Sequence, residues 1–207
     1  MLAQPLKFLV VFFVVVEPVS LIPLFTGLTT GATSAYKRRM ALRAVSVAAA
    51  ILVLFALGGA SFLKLMGISL EAFRIFGGLL LFLLALEMVF ARESGTRTSS
   101  SEAAESRRRA DISVFPLAFP FIAGPGALAT ILLWFGPVHL TEQPALFAAY
   151  LVAVLLAALL CMLLADPLMR VIGVTGANVA SRLAGVVLGA LAVQFVLDGL
   201  RQAFGVS

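Results

Sequence analysis

The residues best suited to chemistry are one acidic side chain and two pairs of prolines that interrupt long apolar stretches. Glu17 and Pro18 stand in the apolar run that begins at Leu6, and Pro23 follows five residues after Pro18. A carboxylate inside an apolar helix is costly to bury, so it usually serves a transport, proton-transfer or ion-pairing role. Glu17 is therefore expected to bind a substrate ammonium group, to carry a coupling proton or to pair with an arginine.

The second proline pair repeats the spacing of the first, because Pro120 and Pro125 also lie five residues apart. Each proline removes one backbone hydrogen-bond donor and clashes with the preceding helical turn. We predict that the helices are broken near Glu17–Pro23 and near Pro116–Gly126. Two packing kinks without a ligand are the alternative, since membrane helices tolerate prolines.

Broken helices in matching positions suit the binding of a small zwitterion. The N-terminus of a half-helix offers free N–H groups and a partial positive charge, which attract a carboxylate. The predicted carboxylate ligands are the backbone N–H groups available within the segment Pro125–Ala127 or the segment Pro23–Phe25. Glu17 or nearby carbonyls would hold the ammonium. Hydroxyl groups near the breaks are further candidates, although they more often bond their own backbone or a neighbouring helix. The predicted substrate-binding residues are Glu17, Pro18, Ser20, Pro23, Thr26, Pro120, Gly124, Pro125, Gly126 and Thr130.

A further acidic side chain lies near the end of the last apolar run. Asp198 follows Gln194 by four residues, so the two share a helix face, and Arg201 comes three residues later. We predict an ion pair between Asp198 and Arg201. Asp198 and Glu17 are the two candidate coupling residues.

Motifs typical of enzymes and metalloproteins are missing from the sequence. One cysteine, Cys161, and one histidine, His139, make no metal cluster. Neither a phosphate-binding glycine loop nor a zinc-protease motif occurs. We therefore predict no catalytic residue, no metal site and no cofactor, and we do not expect an enzyme.

The elements that carry these residues must be long apolar helices. Of the 207 residues, 62% are hydrophobic and 12% are charged, whereas a soluble domain has about 25% charged residues. This composition excludes both a soluble fold and a disordered chain. A membrane-spanning helix needs roughly 20 residues and satisfies its own backbone hydrogen bonds. The predicted spans are Leu6–Leu28, Ala41–Leu63, Leu70–Phe90, Ile112–Phe135, Ala145–Ala165 and Ser181–Phe204.

The net charge of +5 is explained by basic residues that orient the chain in a lipid bilayer. We therefore expect no nucleic-acid partner. Eleven basic residues fall on one side of the predicted spans and four on the other. The eleven are Lys37, Arg38, Arg39, Arg43, Arg92, Arg97, Arg107, Arg108, Arg109, Arg170 and Arg182, and the four are Lys7, Lys64, Arg74 and Arg201. By the positive-inside rule the richer side is cytoplasmic, which places both termini on the outer, periplasmic side. Association of the chain into a homo-oligomer is compatible with the sequence.

The two halves of the chain resemble each other. The proline pairs are offset by 102 residues, and two Arg-x-x-Gly motifs, at Arg74 and Arg182, are offset by 108. Each of these motifs follows a Gly-[Ile/Val]-[Ser/Thr] turn. Because each unit has three helices, the second enters the membrane from the opposite side, as in the inverted repeats of secondary transporters. We predict an all-α membrane protein with one three-helix repeat at 1–90, a cytoplasmic linker at 91–110 and a second repeat at 111–207.

Four segments carry a resemblance to a known family: PVSLIPLFTGLT, GISLEAFRIFGGLLLFL, FPLAFPFIAGPGALAT and RLAGVVLGALAVQFVLDGL. Together they look like the MarC family of bacterial and archaeal inner-membrane proteins, over Leu6 to Leu200. The resemblance implies six spans and transport of glycine, alanine or similar small neutral amino acids, as in its SnatA-type members. By position, the family's two motifs match Pro18, Pro23, Phe25 and Thr29, and then Pro116, Pro120, Gly124, Pro125 and Gly126.

Two positions depart from the family pattern. The family usually has Asn or Asp where Glu17 stands here, and Gly where Ser20 stands. The added side chains would narrow the expected pocket or change its substrate. The resemblance implies a secondary transporter that works by alternating access between inverted repeats. An exporter of another small metabolite or drug on the same architecture, and a non-transporting membrane scaffold, are the alternatives.

Overall fold

The computed structural model of the chain describes residues 3–90, 111–134 and 144–205. Every regular element within these ranges is helical, as the composition predicts. The elements are α1 (Ala3–Val16), α2 (Leu21–Leu28), α3 (Ser34–Leu65), α4 (Leu70–Phe90), α5 (Ser113–Ile122), α6 (Pro125–Trp134), α7 (Pro144–Leu163) and α8 (Ala165–Phe204). The predicted linker at 91–110 and the loop that holds His139 lie outside the described residues.

Five helical segments are long and apolar enough to cross a membrane. They are Phe8–Leu28, Ser34–Leu65, Leu70–Phe90, Pro144–Leu163 and Thr175–Phe204. The number rises to six when α5 and α6, which meet at a bend of 53°, are taken together as one span. The protein is therefore an all-helical, multi-pass membrane protein.

The first span is interrupted between α1 and α2, where the first proline pair predicts a break. Pro18 has no N–H group and cannot donate to the carbonyl of Val14. Glu17 leaves the helical conformation with φ at +57°. The N–H of Ser20 then bonds the carbonyl of Glu17 at 3.1 Å, which tightens the chain before α2 begins.

The second break lies between α5 and α6. Phe115 and Phe119 each precede a proline and adopt extended backbone angles, since the proline ring disfavours helical geometry in the preceding residue. The turns of α5 are consequently wide, and the N–H of Ala123 bonds the carbonyl of Ala118, five residues earlier, at 2.8 Å. A new, regular helix starts at Pro125, a position where proline is favoured.

Two glycines in the left-handed conformation form the Gly-[Ile/Val]-[Ser/Thr] turns predicted in both halves. Gly67 (φ +70°) lies between α3 and α4, and Gly173 (φ +67°) bends α8 near its start. Residues with a side chain rarely adopt this conformation. A turn at a left-handed glycine therefore precedes the helix with the Arg-x-x-Gly motif in each half of the chain.

The most extensive helix contact joins α4 to the part of α8 that follows Gly173. Gly78 lies against Ala192, and Gly185 lies against Met88, so the two helices run antiparallel. A Cβ atom at Gly78 would lie 2.9 Å from the carbonyl oxygen of Ala192, and one at Gly185 would lie 2.8 Å from the Cβ of Met88. Glycine thus sets the close approach of this pair, as is common between membrane helices.

Two ion pairs connect the start of α3 to the second half of the chain. Lys37 Nζ lies 2.7 Å from Asp166 Oδ2 at the start of α8. Arg43 pairs with Asp111, which also accepts hydrogen bonds from the hydroxyl and the backbone N–H of Ser113 at the start of α5. These bonds from Ser113, together with the charge of Arg43, hold the pKa of Asp111 below its ordinary value of 3.8. Lys37 and Arg43, which are among the eleven basic residues on the predicted cytoplasmic side, therefore also connect the two halves of the chain.

Candidate functional site

The two helix breaks meet where α1 ends and α6 begins. A Cβ atom at Gly126 would lie 3.2 Å from Val15 Cγ1 and would collide with Leu81 Cδ2. Val15 stands two residues before Glu17. The two regions that the sequence predicts as breaks are thus neighbours in the fold, with α4 closing the third side.

A cavity lies at this meeting point; with the space at its open side included, it holds about 420 Å³ not occupied by protein atoms. The lining residues are Val15, Leu80, Leu81, Leu84, Pro120, Phe121, Gly124, Pro125, Gly126 and Ala127. The predicted site residues among them are Pro120, Gly124, Pro125 and Gly126, whereas Glu17, Pro18, Ser20, Pro23, Thr26 and Thr130 do not line it.

The described residues that line the cavity have apolar side chains, so the polar part of its wall is backbone, and Pro125, Gly126 and Ala127 among them begin α6. The first helical N–H to bond backwards belongs to Leu128, which donates to the carbonyl of Gly124 at 3.0 Å. Gly126 and Ala127 precede it in the first turn, where helical geometry provides no acceptor for an N–H. Gly124 is buried, and a Cβ there would collide with the carbonyl oxygen of Pro120. Glycine is needed at this position because the chain folds back tightly on α5.

The N-terminus of α2 differs from that of α6, because its first amides are already bonded. The N–H of Leu21 donates to the carbonyl of Pro18 at 3.2 Å, and the N–H of Ile22 donates to the carbonyl of Val19 at 3.1 Å. These short-range bonds close the first turn of α2. The N-terminus of α2 therefore offers fewer N–H donors to a ligand than the N-terminus of α6.

Glu17 belongs to a polar cluster at the end of α1. Its side chain is buried, with 4% of the residue exposed, and Oε1 accepts a hydrogen bond from Ser20 Oγ at 2.8 Å. Ser20 Oγ also lies 3.4 Å from the hydroxyl of Ser181 on α8. Nothing in the sequence marks Ser181, because it is 161 residues from Ser20 and reaches it only through the packing of α2 on α8.

The two threonines among the predicted site residues have different environments. Thr130 is fully buried, and its hydroxyl donates to the carbonyl of Gly126 at 2.8 Å. This is the backbone-bonding role that is common for threonine in membrane helices. The hydroxyl oxygen of Thr26 is buried and has no hydrogen-bond partner among the residues that the structure describes.

Asp198 accepts a hydrogen bond from Gln194 Nε2 at 2.7 Å, which confirms that the two residues share a helix face. The ion pair predicted between Asp198 and Arg201 does not form; the ion pairs within the described ranges include Lys37–Asp166 and Arg43–Asp111. Gln194 lies directly one turn before Asp198 and satisfies its carboxylate, while Arg201 is exposed. Asp198 is not among the residues that line the cavity.

Comparison with known proteins places the whole chain in one group. The family model described as "MarC family integral membrane protein" matches residues 3–204. The UPF0056 membrane protein YhcE of Escherichia coli (strain K12) is 35% identical over 201 residues, which are 96% of this chain and 92% of that protein. A UPF0056 membrane protein of Aquifex aeolicus (strain VF5) is 36% identical over 188 residues, 90% of this chain and 87% of its own length.

The similarity extends to archaeal proteins. The UPF0056 membrane protein PYRAB13050 of Pyrococcus abyssi is 29% identical over 194 residues, which are 94% of this chain and 92% of that protein. No solved structure matches the chain significantly. Because the family model spans nearly all residues and the bacterial relatives exceed 30% identity over most of both chains, this chain belongs to the MarC family of integral membrane proteins.

Proposed function

We propose that this protein is a secondary transporter of small neutral amino acids whose substrate binds between the two helix breaks. The observation that carries the proposal is the cavity at the junction of α1, α4 and α6, with the free N-terminus of α6 in its wall. Paired broken helices that present opposite ends to one cavity are the usual substrate sites of secondary transporters. The two breaks match in the sequence and are neighbours in the fold.

The carboxylate of the substrate would bind at the N-terminus of α6. The amides of Gly126 and Ala127 have no helical acceptor, and the helix contributes a partial positive charge there. Of the two half-helix N-termini, α6 is the better carboxylate site, since the first amides of α2 already bond carbonyls within the break.

The ammonium group would bind on the side of α1. The C-terminal end of a helix carries a partial negative charge, and at the end of α1 this charge is reinforced by the carboxylate of Glu17. Val15 connects this negative end to Gly126 on α6 by direct contact. A zwitterion therefore meets charges of opposite sign at the two breaks.

The lining of the cavity favours a small, uncharged side chain. Leu80, Leu81 and Leu84 of α4 and Phe121 of α5 supply apolar surface. Among the described residues that line the cavity, none is acidic or basic, so a charged substrate side chain would lose its hydration without gaining a partner there. This supports glycine, alanine or a similar substrate.

Several features support an inverted-repeat architecture, with repeats at 1–90 and 111–207. The helices α4 and α8, which end the two halves, pack antiparallel to each other. The contact of α2 with α8 has its counterpart in that of α6 with α4. Rocking of one repeat against the other would alternate access to the site, with both termini on the outer side of the inner membrane.

The test is uptake of labelled alanine and glycine into liposomes that contain the purified protein, with and without a proton gradient. Wild-type protein should accumulate label above empty liposomes. Gly126→Val should abolish uptake, because a side chain there collides with Leu81 and fills the cavity. Gly58→Val is the matched control, since Gly58 is an exposed helical glycine with open space around its Cβ position.

Two outcomes would contradict the proposal. Wild-type protein that moves no small amino acid under any gradient would exclude this substrate class. Equal uptake by the Gly126 variant and the Gly58 control would place the substrate elsewhere. Stabilisation of the purified protein by another class of metabolite in a thermal-shift screen would then support the exporter alternative.

A further inference from the structure

We infer that Leu84 of α4 sets the upper size of the amino acid that the cavity accepts. The inference rests on the proposed function and deepens it, because it assigns the choice among neutral amino acids to one side chain. Leu84 lines the cavity but belongs to neither of the two helix breaks. The residue that selects the substrate is thus separate from the backbone groups that bind its charged ends.

The contacts between α4 and α6 show where Leu84 lies along the cavity wall. A Cβ atom at Gly77 would lie 2.6 Å from Ala129 Cβ, and one at Gly126 would collide with Leu81 Cδ2. A step along α4 from Gly77 to Leu81 therefore moves the contact back along α6 toward its start, so the two helices run antiparallel. Leu84 stands about 4.5 Å further along α4 at 1.5 Å per residue. This places it beyond the first turn of α6, beside the space in front of the helix N-terminus.

The free N–H groups of α6 point into the same space. N–H bonds in a helix point along the axis toward its N-terminus, and those of Gly126 and Ala127 have no helical acceptor. An amino acid held there by its carboxylate has its remaining groups in front of α6, at the level of Leu84. Since the ammonium group is directed to the end of α1, the side chain of the substrate is left to face α4.

The burial of the leucines on α4 separates a packing role from a lining role. Leu80, Leu81 and Leu84 share one helix face, because they lie three or four residues from Leu84 or adjacent to each other. Leu81 is 1% exposed and contacts Gly126, so a smaller residue there would open a gap between α4 and α6. Leu84 is half-buried, packs against the core and lines the cavity. Truncation of Leu84 should therefore enlarge the cavity without disturbing the first turn of α6.

The lining residues outside α4 are tied to the breaks that shape the site. Phe121 lies in the segment that folds back at Gly124, and Val15 contacts Gly126. Changes at these positions would alter the groups that bind the charged ends together with the size of the cavity. Leu84 lies within the regular helix α4, so a change of its side chain alters the size alone.

The experiment measures ligand-induced shifts in the melting temperature of the purified full-length protein, titrated with alanine and with leucine. Leucine carries an isobutyl group where alanine has a methyl group, and Leu84→Ala makes the opposite exchange in the cavity wall. Wild-type protein should prefer alanine. Leu84→Ala should raise the affinity for leucine relative to alanine by about tenfold or more, since even one methylene group in an apolar pocket has an effect of this size.

The matched control is Leu83→Ala, which removes the same atoms from the next residue of α4. Leu83 is 49% exposed and is not among the residues that line the cavity, so this variant should keep the wild-type preference. If Leu84→Ala does not fold, Leu84→Val shortens the side chain less and should change the preference in the same direction by a smaller factor.

Two results would overturn the inference alone. One is a Leu84 variant that binds alanine and keeps the wild-type preference, and the other is wild-type protein that binds leucine as tightly as alanine. If wild-type protein binds neither amino acid, the inference and the proposed function fail together.

Discussion

A glutamate stands at the end of α1, where helices commonly end in a glycine. Glu17 holds φ at +57°, a conformation that costs a residue with a side chain about 1–2 kcal/mol. Glycine would be the easier choice for this turn. The buried carboxylate and its bond from Ser20 give the reason for a glutamate, since an ordinary turn needs neither.

Thr130 is expected to support the site without contacting the substrate. Its hydroxyl donates to the carbonyl of Gly126, so Thr130→Val should cost about 1 kcal/mol of stability, the usual worth of one hydrogen bond. Thermal unfolding in detergent measures this loss. Thr130→Ser keeps the hydroxyl and is the control. A Thr130→Val protein with wild-type stability but no alanine binding would instead make Thr130 a ligand.

Asp111 should make the stability of the protein depend on acid pH. Hydrogen bonds from Ser113 and the charge of Arg43 lower its pKa below 3.8 in the folded state, so its contribution is fully present above that value. It is lost as the pH falls through the lower, folded-state pKa. Asp111→Asn should therefore melt below wild type at pH 7, and the difference should shrink as the pH is lowered past 3.8.

The control for Asp111 is Ser113→Ala, which removes the hydroxyl that lowers the pKa most. In this variant the acid-dependent loss of stability should be smaller than in wild type and should be complete at a higher pH, because the folded-state pKa of Asp111 is closer to 3.8. Melting curves of wild type and Asp111→Asn that stay parallel from pH 7 to pH 3 would show that the carboxylate does not act through its charge.

At the scale of helices, the contact between α4 and α8 depends on which glycine of a GxxxG motif is changed. A Cβ at Gly185 would lie 2.8 Å from Met88 Cβ, whereas one at Gly189 would lie 3.5 Å from Ala85 Cβ, an ordinary contact. Gly185→Val should thus cost about 1–3 kcal/mol through overpacking. Gly189→Ala should be neutral or slightly stabilising, because alanine favours the helix.

The measurement is the melting temperature of each variant in the same detergent, together with its yield in the membrane fraction. Equal losses for Gly185→Val and Gly189→Ala would mean that α4 and α8 pack differently from the described contact. The same measurement on Gly185→Ala, which adds the same methyl group as Gly189→Ala, compares the space at the two positions directly and should show a loss only at Gly185.

The sequence predicts where the chain crosses the membrane better than where helices begin. Hydropathy places the second span at Ala41, yet α3 starts at Ser34, since Thr33 accepts a hydrogen bond from Tyr36 N and caps the helix before its basic first turns. A hydropathy pattern cannot register these charged turns, because they lie outside the apolar segment. The proline pairs, in contrast, locate both breaks correctly, because the missing N–H acts locally.

The residues of the candidate site also differ in whether the local sequence or the tertiary packing determines their positions. Gly124 and Gly126, two of the predicted substrate-binding residues, line the cavity because the break that they form is encoded in adjacent residues. Thr130 turns to its own backbone, a choice that the sequence leaves open. Ser181 depends on the packing of α2 against α8, a long-range contact that no local pattern reports.

At the scale of the whole molecule, the two halves are joined by charges at one end of α3. Lys37 and Arg43 reach Asp166 and Asp111, at the starts of α8 and α5. The side chains of the Lys37 pair are 20% and 43% exposed, so the bond itself contributes at most about 1 kcal/mol. Such weak pairs suit a contact that must open and close, since rocking of the repeats would separate these ends.

A cross-link at this contact should therefore stop transport. Lys37→Cys and Asp166→Cys, in a background with Cys161→Ala, provide two thiols on opposite halves of the chain. A short bifunctional methanethiosulfonate should join them and arrest alanine uptake in liposomes, and a reducing agent should restore it. Arrest follows because a linked pair holds the repeats in one arrangement.

The matched control places the two thiols on one helix, at Leu42 and Ser46, which are both exposed residues of α3. Linking them joins neighbours one turn apart and leaves the halves free to move, so uptake should be the same before and after treatment. If the Lys37–Asp166 link forms, as judged by mass spectrometry, and uptake continues, the ends of α3 and α8 stay together throughout the transport cycle. The moving contact would then lie elsewhere, and the glycine-lined surface between α4 and α8 would be the next to link, since it is the most extensive contact between the halves.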